Sequence, residues 1–134
     1  MFFVVKRATL LIASGPANDP SRKHLFVCLT DSFGPTKETL MVSVATHRAG
    51  LPGDDACHLY AGDHPFVKHK SFVDYRNARV VEAGTLVKGE RQGLFVAMDP
   101  LESSVFARVC YGLEQSLFTA PKHLEFYQLA TGYR

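Results

Sequence analysis

Apolar and polar positions along this chain fall into short runs that favour strands, until the last third turns helical. The run "FFVVKRATLLI" (2–12) is rich in aromatic and β-branched residues and predicts one long first strand. "SGPANDPSRK" (14–23) carries Gly, Pro, Asn and Asp and predicts a loop. "HLFVCLT" (24–30) is almost continuously apolar, as a central strand is. "DSFGPTKE" (31–38) then turns the chain. In "TLMVSVAT" (39–46), Leu40, Val42 and Val44 share one face, and Met41, Ser43 and Ala45 share the other. A second loop, "HRAGLPGDDA" (47–56), leads to a short strand near 57–60. "SFVDY", "ARVVEAGTLVKG" and "GLFVAM" (93–98) read as further strands, with breaks at Gly84 and Gly89.

Asp99, Pro100 and Glu102 form a helix-start signature. Leu101, Val105, Val109, Leu113 and Leu117 recur at i, i+4, joined by Phe106, and predict one buried stripe. Gly112 weakens that helix unless another element packs closely against it. Pro121 restarts a shorter helix, "PKHLEFYQLA", and the tail "TGYR" should fray. Strands followed by helices predict a mainly β, α+β fold: a small, strongly curved antiparallel sheet or barrel packed on a C-terminal helix.

At 134 residues, the chain is read as one domain spanning 1–134. Its hydrophobic and charged fractions, 46% and 21%, suit a globular protein rather than a disordered one. The net charge of +2 is compatible with a nucleic-acid partner without demanding one. Three widely spaced cysteines, Cys28, Cys57 and Cys110, argue against a disulfide framework and a zinc ribbon, and favour a reducing cytoplasm. Lys6 and Arg7 interrupt the apolar start, so a first strand fits better there than a signal peptide or a membrane span.

Chemistry concentrates in two places. Should the strands at 24–30 and 39–46 pair as a hairpin, one sheet edge gathers Arg22, Lys23, His24, Thr46, His47 and Arg48. Cations beside a hydroxyl and imidazoles suit a phosphate: the cations stabilise a charged phosphorane and histidine moves protons near neutral pH. A solvated strand edge is the plain alternative. The second place is "GDHPFVKHKSFVDY" (62–75). Gly62-Asp63 is a turn dipeptide, and Pro65 biases His64 toward extended geometry. A turn feeding a strand accounts for most of that window, while His64, Lys68, His69 and Lys70 could wall an RNA groove. His58, His64 and His69 with Asp54, Asp55 and Asp63 form only a loose group, without the spacing of a metal motif. No nucleophile elbow, Walker loop or dinucleotide fingerprint occurs, so no cofactor is expected.

With these residues in view, the order of loop, basic residue, apolar strand, acidic turn and apolar strand ending in Thr resembles the MazF/PemK/Kid toxins of toxin–antitoxin systems. "RKHLFVCLTD" (22–31) and "LMVSVATHR" (40–48) carry the first elements. "SFVDYRNARVV" (71–81) and "GLFVAMDPLESSVFARVCYGLEQSL" resemble the later strand and closing helix. The resemblance covers most of the chain, chiefly as pattern. It implies an SH3-like barrel, a homodimer, and a metal-independent endoribonuclease cleaving single-stranded RNA and neutralised by an antitoxin protein. A noncatalytic barrel binding nucleic acid or a protein partner is the alternative. Carried over, Thr46 takes the place of the family's Thr/Ser, and Lys23 the place of its arginine, with Arg22 one residue away. Lysine cannot reproduce a bidentate guanidinium contact. His24, standing where the family often has proline, and His47, after Thr46, are expected as base and acid. Arg48, His64, Lys68, His69 and Lys70 are expected along the RNA.

Overall fold

The structure is a computed structural model and describes residues 2–15, 17–19, 21–47, 50 and 53–132. Its strands are β1 (Thr9–Ala13), β2 (Lys23–Cys28), β3 (Glu38–Thr46), β4 (His58–Leu59), β5 (Ser71–Glu82) and β6 (Val96–Met98). Its helices are α1 (Ala83–Arg91), α2 (Ser103–Gln115) and α3 (Pro121–Thr131). The strands pair antiparallel in the order β4-β5-β3-β2-β1-β6, and the sheet curls into a half-barrel accompanied by the helices.

The predicted hairpin of β2 and β3 is present, with Leu25 opposite Val44 and Val27 opposite Val42. Strand alternation sends Leu25, Val27, Leu40, Val42 and Val44 to one core, where Leu101, Val105, Val109 and Leu113 of and beside α2 cover them. Phe26, Cys28 and Met41 point the other way, under Phe2, Val4 and Leu86. Both faces of β2 and β3 are therefore covered, which explains why β2 reads as almost continuously apolar. Each Leu or Val buried here stabilises by roughly 1.5–3 kcal/mol.

Several expectations are corrected. The first strand is not 2–12 but Thr9–Ala13. Arg7 takes a left-handed φ of 78°, so Phe2 and Val4 turn back over the second core. Residues 83–91 are helix, not strand. Gly84 and Gly89 mask the i, i+3, i+4 pattern of Ala83, Leu86 and Val87, yet Gly89 is needed: a Cβ there would lie 2.2 Å from the Phe95 ring. α2 begins after Glu102 rather than at Asp99. The Asp99 carbonyl instead accepts from Thr9 Oγ1 and from His64 Nε2, each at 2.7 Å, so the chain stays extended there. α2 also ends before Leu117, which is 95% exposed and leaves the stripe.

Gly112 has the close neighbour its sequence position requires. Tyr75 of β5 is fully buried and donates its hydroxyl to the Val109 carbonyl at 2.6 Å. A Cβ on Gly112 would meet that hydroxyl at 2.2 Å. The contact locks α2 to β5. Pro121 starts α3, and Gly132 caps it with φ 70°. Tyr133 and Arg134, expected to fray, lie outside the described residues.

Candidate functional site

The β2–β3 hairpin brings its polar ends together. Continuing the register of Leu25 with Val44 sets Lys23 across from Thr46, and Thr46 pairs with Ser71 of β5. The turn before β5 folds over this edge. Together they bound a pocket of about 310 Å³ lined by Arg22, Lys23, His24, Val44, Thr46, Phe66, Val67, Lys68, His69 and Ser71. Among the described residues, three cations, two imidazoles and two hydroxyls thus surround an apolar floor, and no carboxylate lines it. Among the described residues, none of Arg22, Lys23 and Lys68 has a salt-bridge partner. Unspent positive charge around a recess is the arrangement an anion requires.

The window at 62–75 explains how the turn holds. His64 is 3% exposed. Its Nδ1 accepts the Phe66 N–H at 3.0 Å, so the ring proton resides on Nε2 and is donated to the Asp99 carbonyl. Asp63 accepts the Tyr60 N–H at 2.8 Å and pairs with Arg108 of α2 at 2.9 Å. His64 is therefore held inside the scaffold, with both ring nitrogens engaged, rather than on the exposed wall expected of it. Beyond it the chain turns outward: Lys68, His69 and Lys70 are exposed, and the first two reach the pocket. The His69 ring makes no hydrogen bond among the described residues, while its carbonyl accepts Ser71 Oγ at 2.9 Å.

The two histidines expected to act together are separated. His24 contributes to the pocket wall, but its Nδ1 lies 2.8 Å from Ser14 Oγ, and strand alternation gives it the face opposite Lys23. Burial first, then the Arg22 charge, lower its pKa against a smaller opposing pull from Asp74, which favours the neutral ring. His47, one residue past Thr46, does not line the pocket. Its ring stands edge-on to His58 with centroids 6.0 Å apart. Arg48 lies outside the described residues. Lys70 is exposed beside the pocket without lining it, and its carbonyl accepts the His47 N–H at 2.9 Å.

The His/Asp group from 54 to 69 is dispersed. Asp54 accepts Ser116 Oγ at 2.6 Å, and Asp63 and His64 are committed as above. Only His58 and Asp55 approach, at 3.3 Å. Among the described residues no cluster of three or more His, Cys, Asp or Glu side chains could hold a metal. The three cysteines are free, and burial raises each thiol's pKa, that of Cys28 to about 12. Raised thiols are poor nucleophiles at neutral pH. No described helix is long and apolar enough to cross a membrane.

Sequence reasoning missed Ser71 as part of this edge and Ser14 as the partner of His24. The alternation of His69 with Ser71 was a signal for the first; the second depends on a cross-strand contact. Compared with protein-family models the chain matches none, and no curated protein aligns with it.

Proposed function

We propose that the pocket between β2, β3 and the 66–71 turn holds an RNA backbone phosphate, and that the protein is a toxin-like endoribonuclease acting on single-stranded RNA. The observation that carries this reading is the convergence of Arg22, Lys23, Lys68, His69 and Thr46 on one recess lined, among the described residues, by no carboxylate. A half-barrel of antiparallel strands with a C-terminal helix supports a relationship to the SH3-like MazF/PemK barrels. An antitoxin protein and a second copy of the chain are the partners this reading implies.

In such a reaction the ribose 2′-oxygen attacks the adjacent phosphorus and the P–O5′ bond breaks, leaving a cyclic phosphate and a 5′-hydroxyl. A base takes the 2′-hydroxyl proton and an acid supplies one to O5′. Arg22, Lys23 and Lys68 neutralise the charge gathering on the phosphorane. His69 replaces His47 as the imidazole available to move a proton, because its ring is uncommitted. Thr46 donates its hydroxyl to a phosphate oxygen.

The separation of His47 from the pocket favours a second reading, in which the same recess binds RNA without cutting it. Incubating purified protein with single-stranded RNA in EDTA separates the two. Discrete fragments that disappear with Thr46→Ala and His69→Ala support cleavage. Retarded but intact RNA supports binding alone, and RNA neither bound nor cut sinks both.

A further inference from the structure

A second recess, larger than the first, lies on the other half of β5. It has a volume of about 770 Å³ and is lined by residues 76–80, Ala120, Lys122, His123 and Phe126. That is within the range of small-ligand sites. The cationic side chains lining it are Arg76, Arg79 and Lys122, and among the described residues no carboxylate lines it. Burial, then the Lys122 charge, lower the pKa of His123 and favour its neutral ring.

The local fold creates this recess. β5 pairs with β3 through Asp74 opposite Ser43 and again through Arg79 opposite Met41. Between these points residues 75–78 stand against Val42 alone, an irregular bulge in which Arg76 and Asn77 are exposed. Asn77 is fixed by Asp74, its amide donating at 2.7 Å. β4 covers only Ser71 and Phe72, so the bulge lies on an open part of the β5 edge. α3 meets this edge with its first turn.

Stacking holds the Arg76 guanidinium in place, whereas that of Arg79 is drawn to the Phe26 side of the sheet. The Arg76 guanidinium lies 4.1 Å from the Phe118 ring centroid, and that of Arg79 lies 5.2 Å from the Phe26 centroid. Stacking fixes a guanidinium while leaving its N–H edge open. Neither arginine has a salt-bridge partner among the described residues. In the first turn of α3, Pro121 has no N–H and the His123 N–H donates to the Ala120 carbonyl at 2.9 Å, so among the described residues the Lys122 N–H is the donor left for a ligand. His123 is only 8% exposed, and its Nδ1 is sealed without a partner. A buried imidazole nitrogen left unbonded is costly, and a second unbonded nitrogen on the same ring would add to that cost. Nε2 is the nitrogen left to face the recess.

We propose that this recess binds the phosphate of a nucleotide, free or within an RNA chain, between the α3 N-terminus, His123, Lys122 and Arg76. Phe126 supplies an apolar wall for the ribose or base. The site is separate from the pocket at the other end of β5 and does not require cleavage there. Six residues of strand lie between Ser71 and Ala78, which corresponds to roughly 20 Å.

The test follows the imidazole ¹⁵N signals of the full chain by NMR, with His123 assigned from its loss in His123→Gln. Inorganic phosphate, adenosine 5′-monophosphate and a short oligouridylate are titrated separately. A saturable His123 response to phosphate and the monophosphate identifies a free-nucleotide site. A response to the oligonucleotide alone assigns the site to a phosphate within a chain. In either case Lys122→Glu and Arg76→Gln, both at exposed positions, weaken the response by about tenfold or more, as expected for loss of a charge-assisted contact. Lys68→Glu, at the other pocket, leaves it in place even if RNA cleavage is lost or was never present. No His123 response to any probe at millimolar concentration overturns the proposal, as does a response that neither Lys122→Glu nor Arg76→Gln alters.

Discussion

The segment from 62 to 70 contains two halves that look alike in sequence and differ in the structure. In the first half, Asp63 and His64 have used their bonding capacity: Asp63 on Tyr60 N–H and Arg108, His64 on Phe66 N–H and the Asp99 carbonyl. In the second half, Lys68 and His69 line a recess with their charged or polar ends uncommitted. A polar side chain with its hydrogen bonds satisfied inside the fold supports that fold. One with capacity left over, at the mouth of a pocket, is available to a ligand. The two halves depend on each other, because the buried anchor at His64 sets where Lys68 and His69 emerge.

The largest effect expected from breaking this division is at His64. His64→Ala leaves the Phe66 N–H without its partner, leaves the Asp99 carbonyl with Thr9 Oγ1 alone, and opens a void, at a cost of about 2–3 kcal/mol. Chemical denaturation should show that loss. RNA affinity measured well below the new midpoint should also fall, since the turn carrying Lys68 loses its anchor. A stability unchanged within error would mean that the buried histidine is not the fastening of the turn.

Lys68→Glu tests the other half with the opposite signature. Stability should stay within about 0.5 kcal/mol, as for an exposed residue without a partner. Affinity for single-stranded RNA should fall about tenfold, with a shallower dependence on salt, because one phosphate contact is lost. Filter binding at several salt concentrations reads both quantities. Unchanged affinity and slope would remove Lys68 from the RNA surface and weaken the phosphate reading of the whole recess.

How far the sequence shows this division depends on the distance over which each partner is found. Alternation in β3 and the near-continuous apolar run of β2 are local, and both strands lie where their patterns place them. The hairpin then follows, and with it the meeting of Arg22, Lys23 and Thr46. The helix at 83–91 escaped because glycines at 84 and 89 lower local propensity, while the reason for Gly89, the Phe95 ring, appears only in three dimensions. His64 and His69 could not be told apart from composition. The partner that buries His64 is Asp99, 35 residues later, and that of Asp63 is Arg108, 45 residues later. His47 was misplaced for a simpler reason: one step beyond Thr46 on a strand turns a side chain to the other face.

The smallest effect expected is at Asp63, and its sign with pH is fixed by the direction of the pKa shift. The hydrogen bond from Arg108 is the leading cause that holds the Asp63 carboxyl below its ordinary value, and the Tyr60 N–H adds to it. A carboxyl depressed in the folded state binds its proton less readily there than in the unfolded chain. Its stabilisation is therefore complete above the unfolded pKa, near 4, and is lost as pH falls through the folded value. Arg108 is about half exposed, at 46% for its side chain, so solvent screening limits the pair to about 0.5–1 kcal/mol. Asp63→Asn should then be less stable than the parent by about that amount at pH 7. The two should converge on acidification below pH of about 4, and added salt should narrow the gap at neutral pH. A gap that persists at low pH would show that the Tyr60 N–H bond matters for its geometry rather than for its charge. The first half of the turn would then be held by hydrogen bonding alone, with the ion pair to α2 contributing nothing measurable.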